Sequence, residues 1–279
     1  MKRIDPALVR MTVARLCREA NCRIRPDIQA ALRRGSRRQR SALGRELYAL
    51  LNDTVAIARK RDIPICQDTG YPVVFADIGP DVFVDAALKK AIIDGVKSGY
   101  CAGNLRASIV APFKRDHPDV IPPVVHFDFV NKKGLTLTVL PKGFGSENKT
   151  ALKLFKPTAS FEAIAEFVVS SAKNAGASAC PPFFIGIGIG GTADYALLLS
   201  KKALLKKFGS RPQDSNERKL TDTIIRKLGT VPFGIAGLSG APVCLGVNIV
   251  TAPTHIAGLP VGVSISCWVM RSASKTILK

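Results

Sequence analysis

The run Cys180-Pro181-Pro182-Phe183-Phe184-Ile185-Gly186-Ile187-Gly188-Ile189-Gly190-Gly191-Thr192-Ala193 reads as a buried strand delivered through glycines into a helix. Phe183 to Ile189 is short, apolar and β-branched, the pattern of a strand covered on both faces. Ala193 to Phe208 then has helical composition, with Lys201 and Lys202 in its later half. Gly186 to Gly191 formally match G-x-G-x-x-G between strand and helix, the setting of a dinucleotide-binding fingerprint. That fingerprint needs an acidic residue about 20 positions further on, where this chain has a helix tail and a Lys-rich, Pro-containing loop. Two readings stay open for the glycines: a helix N-terminus that receives an anion such as a carboxylate, or close packing of strand on helix.

Outward from this run, strands and helices alternate. Val73 to Ala76, Val124 to Phe129, Leu135 to Leu140, Leu245 to Val250 and Val261 to Ile265 read as strands, and Val84 to Lys97 and Phe161 to Ala175 as helices. The first sixty residues are helical. Asp5-Pro6 is a cap followed by proline at the first helical position, with Val9, Val13, Leu16 and Ala20 as its apolar stripe. Arg25-Pro26-Asp27 opens a second helix. Leu43, Leu47, Leu50, Thr54 and Ile57 mark a third, whose apolar stripe is expected in the core. The expectation is a mixed α/β fold: a helical N-terminal region (residues 1–62) packed on an α/β body with a mixed sheet (residues 63–279), in a single domain of 279 residues.

No stretch reaches the roughly 20 apolar residues of a membrane helix, and the N-terminus lacks a secretory h-region. Seven cysteines, an odd number, fit a reducing compartment, and a cytoplasmic location is expected. The formal net charge is +20, and residues 1–62 carry 16 Lys/Arg against 6 Asp/Glu. Five arginines fall within Arg33 to Arg40. Nucleic acid, a solvated helical face, or an acidic partner subunit would each account for them. With aromatics at 6% and no zinc-finger or aromatic RNA-binding signature, the nucleic-acid reading lacks its second half.

Three cysteines have distinctive surroundings: Cys66 in Pro64-Ile65-Cys66-Gln67-Asp68-Thr69-Gly70, Cys180 before two prolines, and Cys267 in Ser264-Ile265-Ser266-Cys267. They lie 114 and 87 positions apart, which excludes a local C-x-x-C knuckle, and they read as thiolate ligands of one iron–sulfur cluster. Four thiolates would suit electron transfer, whereas three would leave an iron open as a Lewis acid. Cys17, Cys22, Cys101 and Cys244 read as small buried hydrophobes. Lys142-Gly143-Phe144-Gly145-Ser146-Glu147-Asn148-Lys149 is a glycine-rich polar loop able to donate to an anion. His255 is one of three histidines.

Pro64 to Gly70, Asn104 to Ser108, Lys142 to Lys149, Cys180 to Thr192 and Ala252 to Cys267 occur in the order seen in class I fumarate hydratases. They equally resemble the α subunit of L(+)-tartrate dehydratase, a member of the same iron–sulfur hydro-lyase family. The resemblance implies a [4Fe–4S] cluster on Cys66, Cys180 and Cys267. It implies substrate contacts from Gln67, Asp68, Arg106, Gly145, Asn148 and Lys149, with Asp68 and His255 in catalytic roles. It also implies a dicarboxylate substrate, hydration of fumarate to L-malate or else dehydration of L-tartrate, and a hetero-oligomer in which a separate β subunit completes the active site. The chain departs from the family pattern at Lys114 to Asp119, at Thr254, at Trp268 and at Ser239 to Val243. A dinucleotide-dependent oxidoreductase and a basic nucleic-acid-binding protein are the more distant alternatives.

Overall fold

The computed structural model describes residues 2–231, 233–238 and 242–278. In chain order the elements are β1 (Lys2–Arg3), α1 (Pro6–Cys22), α2 (Pro26–Arg37), α3 (Ala42–Arg61), β2 (Tyr71–Ile78), β3 (Val82–Phe83), α4 (Ala86–Ala102), β4 (Val124–Phe129), β5 (Leu135–Lys142) and α5 (Phe144–Glu147). Then follow β6 (Ala151–Phe155), α6 (Phe161–Ala175), β7 (Phe183–Gly191), α7 (Ala193–Leu205), α8 (Ser215–Leu228), β8 (Cys244–Thr254), β9 (Leu259–Ser266) and β10 (Ala273–Ile277). The fold is mixed α/β, as the sequence predicts. The chain divides into two compact units, one of residues 1–25, 54–144 and 271–279, the other of residues 26–53 and 145–270.

The first unit is built on a sheet of order β10-β5-β2-β4. β2 runs parallel to β4 and antiparallel to β5, and β10 pairs antiparallel with β5. α1 starts where the Asp5 carboxylate accepts from Ala7 N at 2.9 Å and Pro6 needs no donor. α4 starts likewise, with Asp85 accepting from Ala87 N and Leu88 N. The expected stripe of Val9, Val13, Leu16 and Ala20 is buried with Ile92, Val96, Val74, Ala76, Leu135 and Leu137 in one core. α1 and α4 approach closely because α4 carries glycine at the contact. A Cβ on Gly99 would stand 2.6 Å from the Ala14 carbonyl oxygen.

In the second unit the sheet order is β6-β9-β7-β8, with β7 parallel to β8 and antiparallel to β9. Alternation along β7 sends its two faces to different helices. Ile185 and Ile187 join Ile164, Val168, Leu220 and Ile224 of α6 and α8 in a second core. Gly186 and Gly188 face α7. Cβ atoms there would run into the carbonyls of Ser200 and Ala196, and the one on Gly188 would stand 2.6 Å from Ser200 N. The glycines of the G-x-G-x-x-G run are therefore used for strand–helix packing. The N-terminus of α7 already carries Asp194, whose carboxyl is held below its usual range by hydrogen bonds from the Thr192 hydroxyl and the Tyr195 backbone N–H.

Three expectations need correction. The stripe predicted for the core on α3 is largely outside: Leu43, Leu50 and Ile57 are exposed, while Gly44, Tyr48, Val55 and Ala58 are buried. The buried line runs one residue later, a rotation of about 100° at 3.6 residues per turn. Cys101 is exposed, and Cys244 is only half-buried. The loop expected after α7 contains α8, capped by Asp214 onto Asn216 N and Glu217 N at 2.8 and 2.9 Å. Of the departing segment Ser239 to Val243, residues 239–241 lie outside the described residues.

Candidate active site

In the first unit the segment Cys66 to Gly70 forms the turn into β2. Ile65 is buried and its N–H donates to the Asn21 carbonyl at 3.0 Å, anchoring the approach. Cys66 and Asp68 are half-buried and Gln67 is exposed. Gly70 has φ of +76°, and a Cβ there would stand 2.6 Å from the Pro141 carbonyl carbon, so both conformation and space demand glycine. Asp68 is held at both carboxylate oxygens. Oδ1 accepts from Gly70 N at 2.9 Å and Oδ2 from Phe144 N at 2.9 Å.

Thr69 links this turn to the Arg106 loop. Its hydroxyl oxygen accepts from Arg106 N at 2.9 Å. The Tyr100 hydroxyl lies 3.1 Å from the Thr69 carbonyl and 2.9 Å from that of Gly70. Burial raises its pKa far above the ordinary tyrosine range, so it serves as a donor. The Arg106 side chain is exposed and makes no ion pair among the described residues.

Residues with no local signature in the sequence complete this constellation. Arg271 is buried and donates from Nη1 to Asn21 Oδ1 at 3.0 Å, while its Nε has no partner. The Cβ position of Gly143 is 3.2 Å from Asp68 Oδ2 and 3.5 Å from Arg271 Nη2. Glycine thus leaves a small space bordered by a carboxylate and a guanidinium. Lys142, next to it, is also buried. Buried cations demand nearby anionic or carbonyl partners, a requirement that no short stretch of sequence announces.

The second unit assembles other predicted residues. Cys180 ends a tight turn at φ +52°, its N–H donating to the Ala177 carbonyl at 3.0 Å. Trp268 N donates to the Cys180 carbonyl at 3.3 Å, which sets the Cys267 segment beside Cys180. The Cβ position of Gly145 is 3.3 Å from the Ser178 carbonyl oxygen, so the glycine-rich loop lies against the same turn. Glu147 of that loop is ion-paired with Lys201 on α7. Asn148 is exposed and Lys149 half-buried. His255 caps the exposed turn between β8 and β9, where its Nδ1 accepts from Ala257 N at 3.1 Å. In the neutral ring Nε2 then carries the proton. Cys180 precedes β7 and His255 follows the parallel β8, so the two stand toward opposite ends of the same sheet.

All seven cysteines are thiols. Burial pushes the Cys17 thiol up to about 12 and raises that of Cys22. The Cys244 thiol, which donates to the Gly246 carbonyl at 3.3 Å, is also pushed up to about 12 by burial. Such thiols resist the deprotonation that metal binding requires. Cys66, Cys180 and Cys267 are half-buried or exposed, at turns and strand ends, and as a donor set they fit an iron–sulfur group. Among the described residues no group of three or more His, Cys, Asp and Glu is gathered as a single metal ion would need.

The sequence pattern of the family Fumarate hydratase (Fumerase) matches residues 10–276. A protein of Methanocaldococcus jannaschii, provisionally named L(+)-tartrate dehydratase subunit alpha, is 37% identical over 273 residues, covering 95% of this chain and 96% of that protein. The L(+)-tartrate dehydratase subunit alpha of Escherichia coli (strain K12) is 26% identical over 266 residues, covering 93% of this chain and 87% of that protein. With a match that runs through both units, this chain belongs to the Fumarate hydratase (Fumerase) family and is a hydro-lyase.

Proposed function

We propose that the chain is the α subunit of an iron–sulfur hydro-lyase that adds water reversibly to fumarate to give L-malate. The family match over residues 10–276 carries this reading. Cys66, Cys180 and Cys267 are the proposed ligands of a [4Fe–4S] cluster. When bound, a cluster with three protein thiolates supplies a Lewis acid toward substrate oxygen. The remaining chemistry belongs to this chain's side chains. Arg106 would grip a substrate carboxylate through two parallel hydrogen bonds. Asp68, fixed by two backbone N–H groups, would accept a proton or orient the water. His255 would offer its Nε2–H as a donor, from the end of its sheet away from Cys180. Gln67, Gly145, Asn148 and Lys149 would line the substrate.

The relatives' names favour a second reading, dehydration of L-tartrate to oxaloacetate. Those names also support a β subunit as partner, in a hetero-oligomer. No helix of the described residues is long and apolar enough to cross a membrane, and seven thiols suit the reducing cytoplasm. The test is anaerobic reconstitution with the β-type chain, followed by assays on fumarate, L-malate and the tartrate stereoisomers. Turnover of fumarate and L-malate above that of any tartrate is expected. Preference for L(+)-tartrate would install the second reading, and full turnover by this chain alone would remove the β subunit from the active site.

A further inference from the structure

The end of α2 is a cationic surface that the described residues leave unanswered. Arg33, Arg34, Arg37, Arg38 and Arg40 are all exposed, and none forms an ion pair among the described residues. The only acid on the helix, Asp27, sits at its start and accepts from Phe208 N at 2.8 Å. Arg34 and Arg37 lie in the last turn, where the helix dipole favours a cation or two. Arg33/Arg37, however, is a like-charge pair four residues apart, a spacing that destabilises a helix, and Arg38 and Arg40 add charge just past its end. Helix stability alone therefore does not explain the cluster.

The following helix, α3, carries exposed apolar residues. Leu43 and Leu50 of α3 are 45% and 64% exposed, with Leu47 half-buried between them. At spacings of four and three they form one stripe. The two helices are held together where the Tyr48 ring covers Gly35, whose Cβ would stand 2.7 Å from Tyr48 Cζ. Arg45 closes the connection by donating to the Arg40 carbonyl at 3.0 Å. Apart from the buried Tyr48 neither helix carries an aromatic ring, so a nucleic-acid strand would find nothing to stack on. Exposed arginines at the end of α2 and exposed leucines on the first half of α3, with Glu46 the one acid among those leucines, are instead a composition found in protein–protein interfaces.

We infer that the C-terminal half of α2 and the first half of α3 form a docking face for a second, different protein chain. That chain presents an apolar strip bordered by Asp and Glu, and it is the β subunit. This rests on the α-subunit reading above. The test measures assembly of this chain with the separately purified β-type chain of the same organism, at low and high salt. Wild-type affinity should fall as salt rises. The triple variant Arg33→Glu/Arg37→Glu/Arg38→Glu should weaken assembly at least tenfold and flatten its salt dependence. Leu50→Asp should weaken it while leaving the salt dependence intact. Circular dichroism checks that both variants remain folded, and if either does not, Arg33→Gln/Arg37→Gln/Arg38→Gln and Leu50→Gln replace them. Folded variants that assemble like wild type would overturn the inference. So would self-association of this chain that Leu50→Asp abolishes, or tight binding of a short single-stranded RNA lost in the triple variant. Normal assembly behaviour without hydro-lyase activity would sink the functional reading and leave the docking face. An active pair indifferent to these substitutions would do the reverse.

Discussion

Arg106 sits in a loop pinned from both sides. Thr69 accepts from its backbone N–H, and the neighbouring Leu105 is buried and bonded to the Tyr100 carbonyl at 2.9 Å. The backbone is fixed while the guanidinium stays available. A bidentate carboxylate contact is worth about 1.5–3 kcal/mol, so Arg106→Ala should lower kcat/KM by roughly ten- to a hundredfold. Arg106→Lys keeps the charge but not the planar fork and should recover only part of the loss. Visible absorbance of the cluster should be unchanged in both variants. Near-normal kcat/KM in Arg106→Ala would take this residue out of substrate binding. For the cysteines, serine at Cys66, Cys180 or Cys267 should abolish cluster absorbance, and serine at Cys17, Cys22, Cys101 or Cys244 should not. Loss of absorbance in any of the latter four would refute the ligand assignment. The turn around Cys66 is legible in sequence because Gln67-Asp68-Thr69-Gly70 is local turn chemistry. Tyr100, Gly143 and Arg271 are not, because each acts on partners brought from distant parts of the chain.

At the scale of elements, β7 and α7 carry the strongest constraint. Gly188→Ala would drive a methyl group into backbone atoms of α7, and overpacking of this kind costs about 1–3 kcal/mol. Gly258, in the His255 turn, has no atom within 4 Å of its Cβ position. Gly258→Ala should therefore change stability by less than about 1 kcal/mol. Urea denaturation of the two variants compares them directly, and equal stabilities would refute the packing argument. Periodicity places α1, α6, β4 and β7 well because a run or stripe of apolar residues marks each. It misplaces the buried face of α3, where Gly44 and Tyr48, rather than the leucines, face inward. Apolar periodicity follows large side chains and is blind to glycine, yet the gap left by Gly35 on α2 is what draws the Tyr48 ring inward. α8 carries a start signal in Asp214 and Glu217, but the lysines and proline just upstream give the segment the look of a loop.

For the whole molecule, the buried Cys17 thiol makes a testable statement about alkaline stability. Cys17 has a folded-state value of about 12, above the ordinary value of 9.0, because burial disfavours the thiolate. The folded protein holds this proton more tightly than the unfolded chain does. That stabilisation is whole below about pH 9 and is lost as pH rises toward about 12. The melting temperature should fall across this window, and Cys17→Ala should fall less steeply despite a lower value at neutral pH. An unchanged slope would acquit the Cys17 thiol. By itself the sequence determined the α/β class, the starts of α1, α2, α6 and α7 and the candidate cysteines, since caps, periodicity and turn residues act over a few neighbours in the chain. Tertiary structure alone decided that the β7 glycines serve packing, that the α3 leucines face outward, and that Asp68, Gly143 and Arg271 converge, because burial and contact depend on residues the chain brings together from far apart.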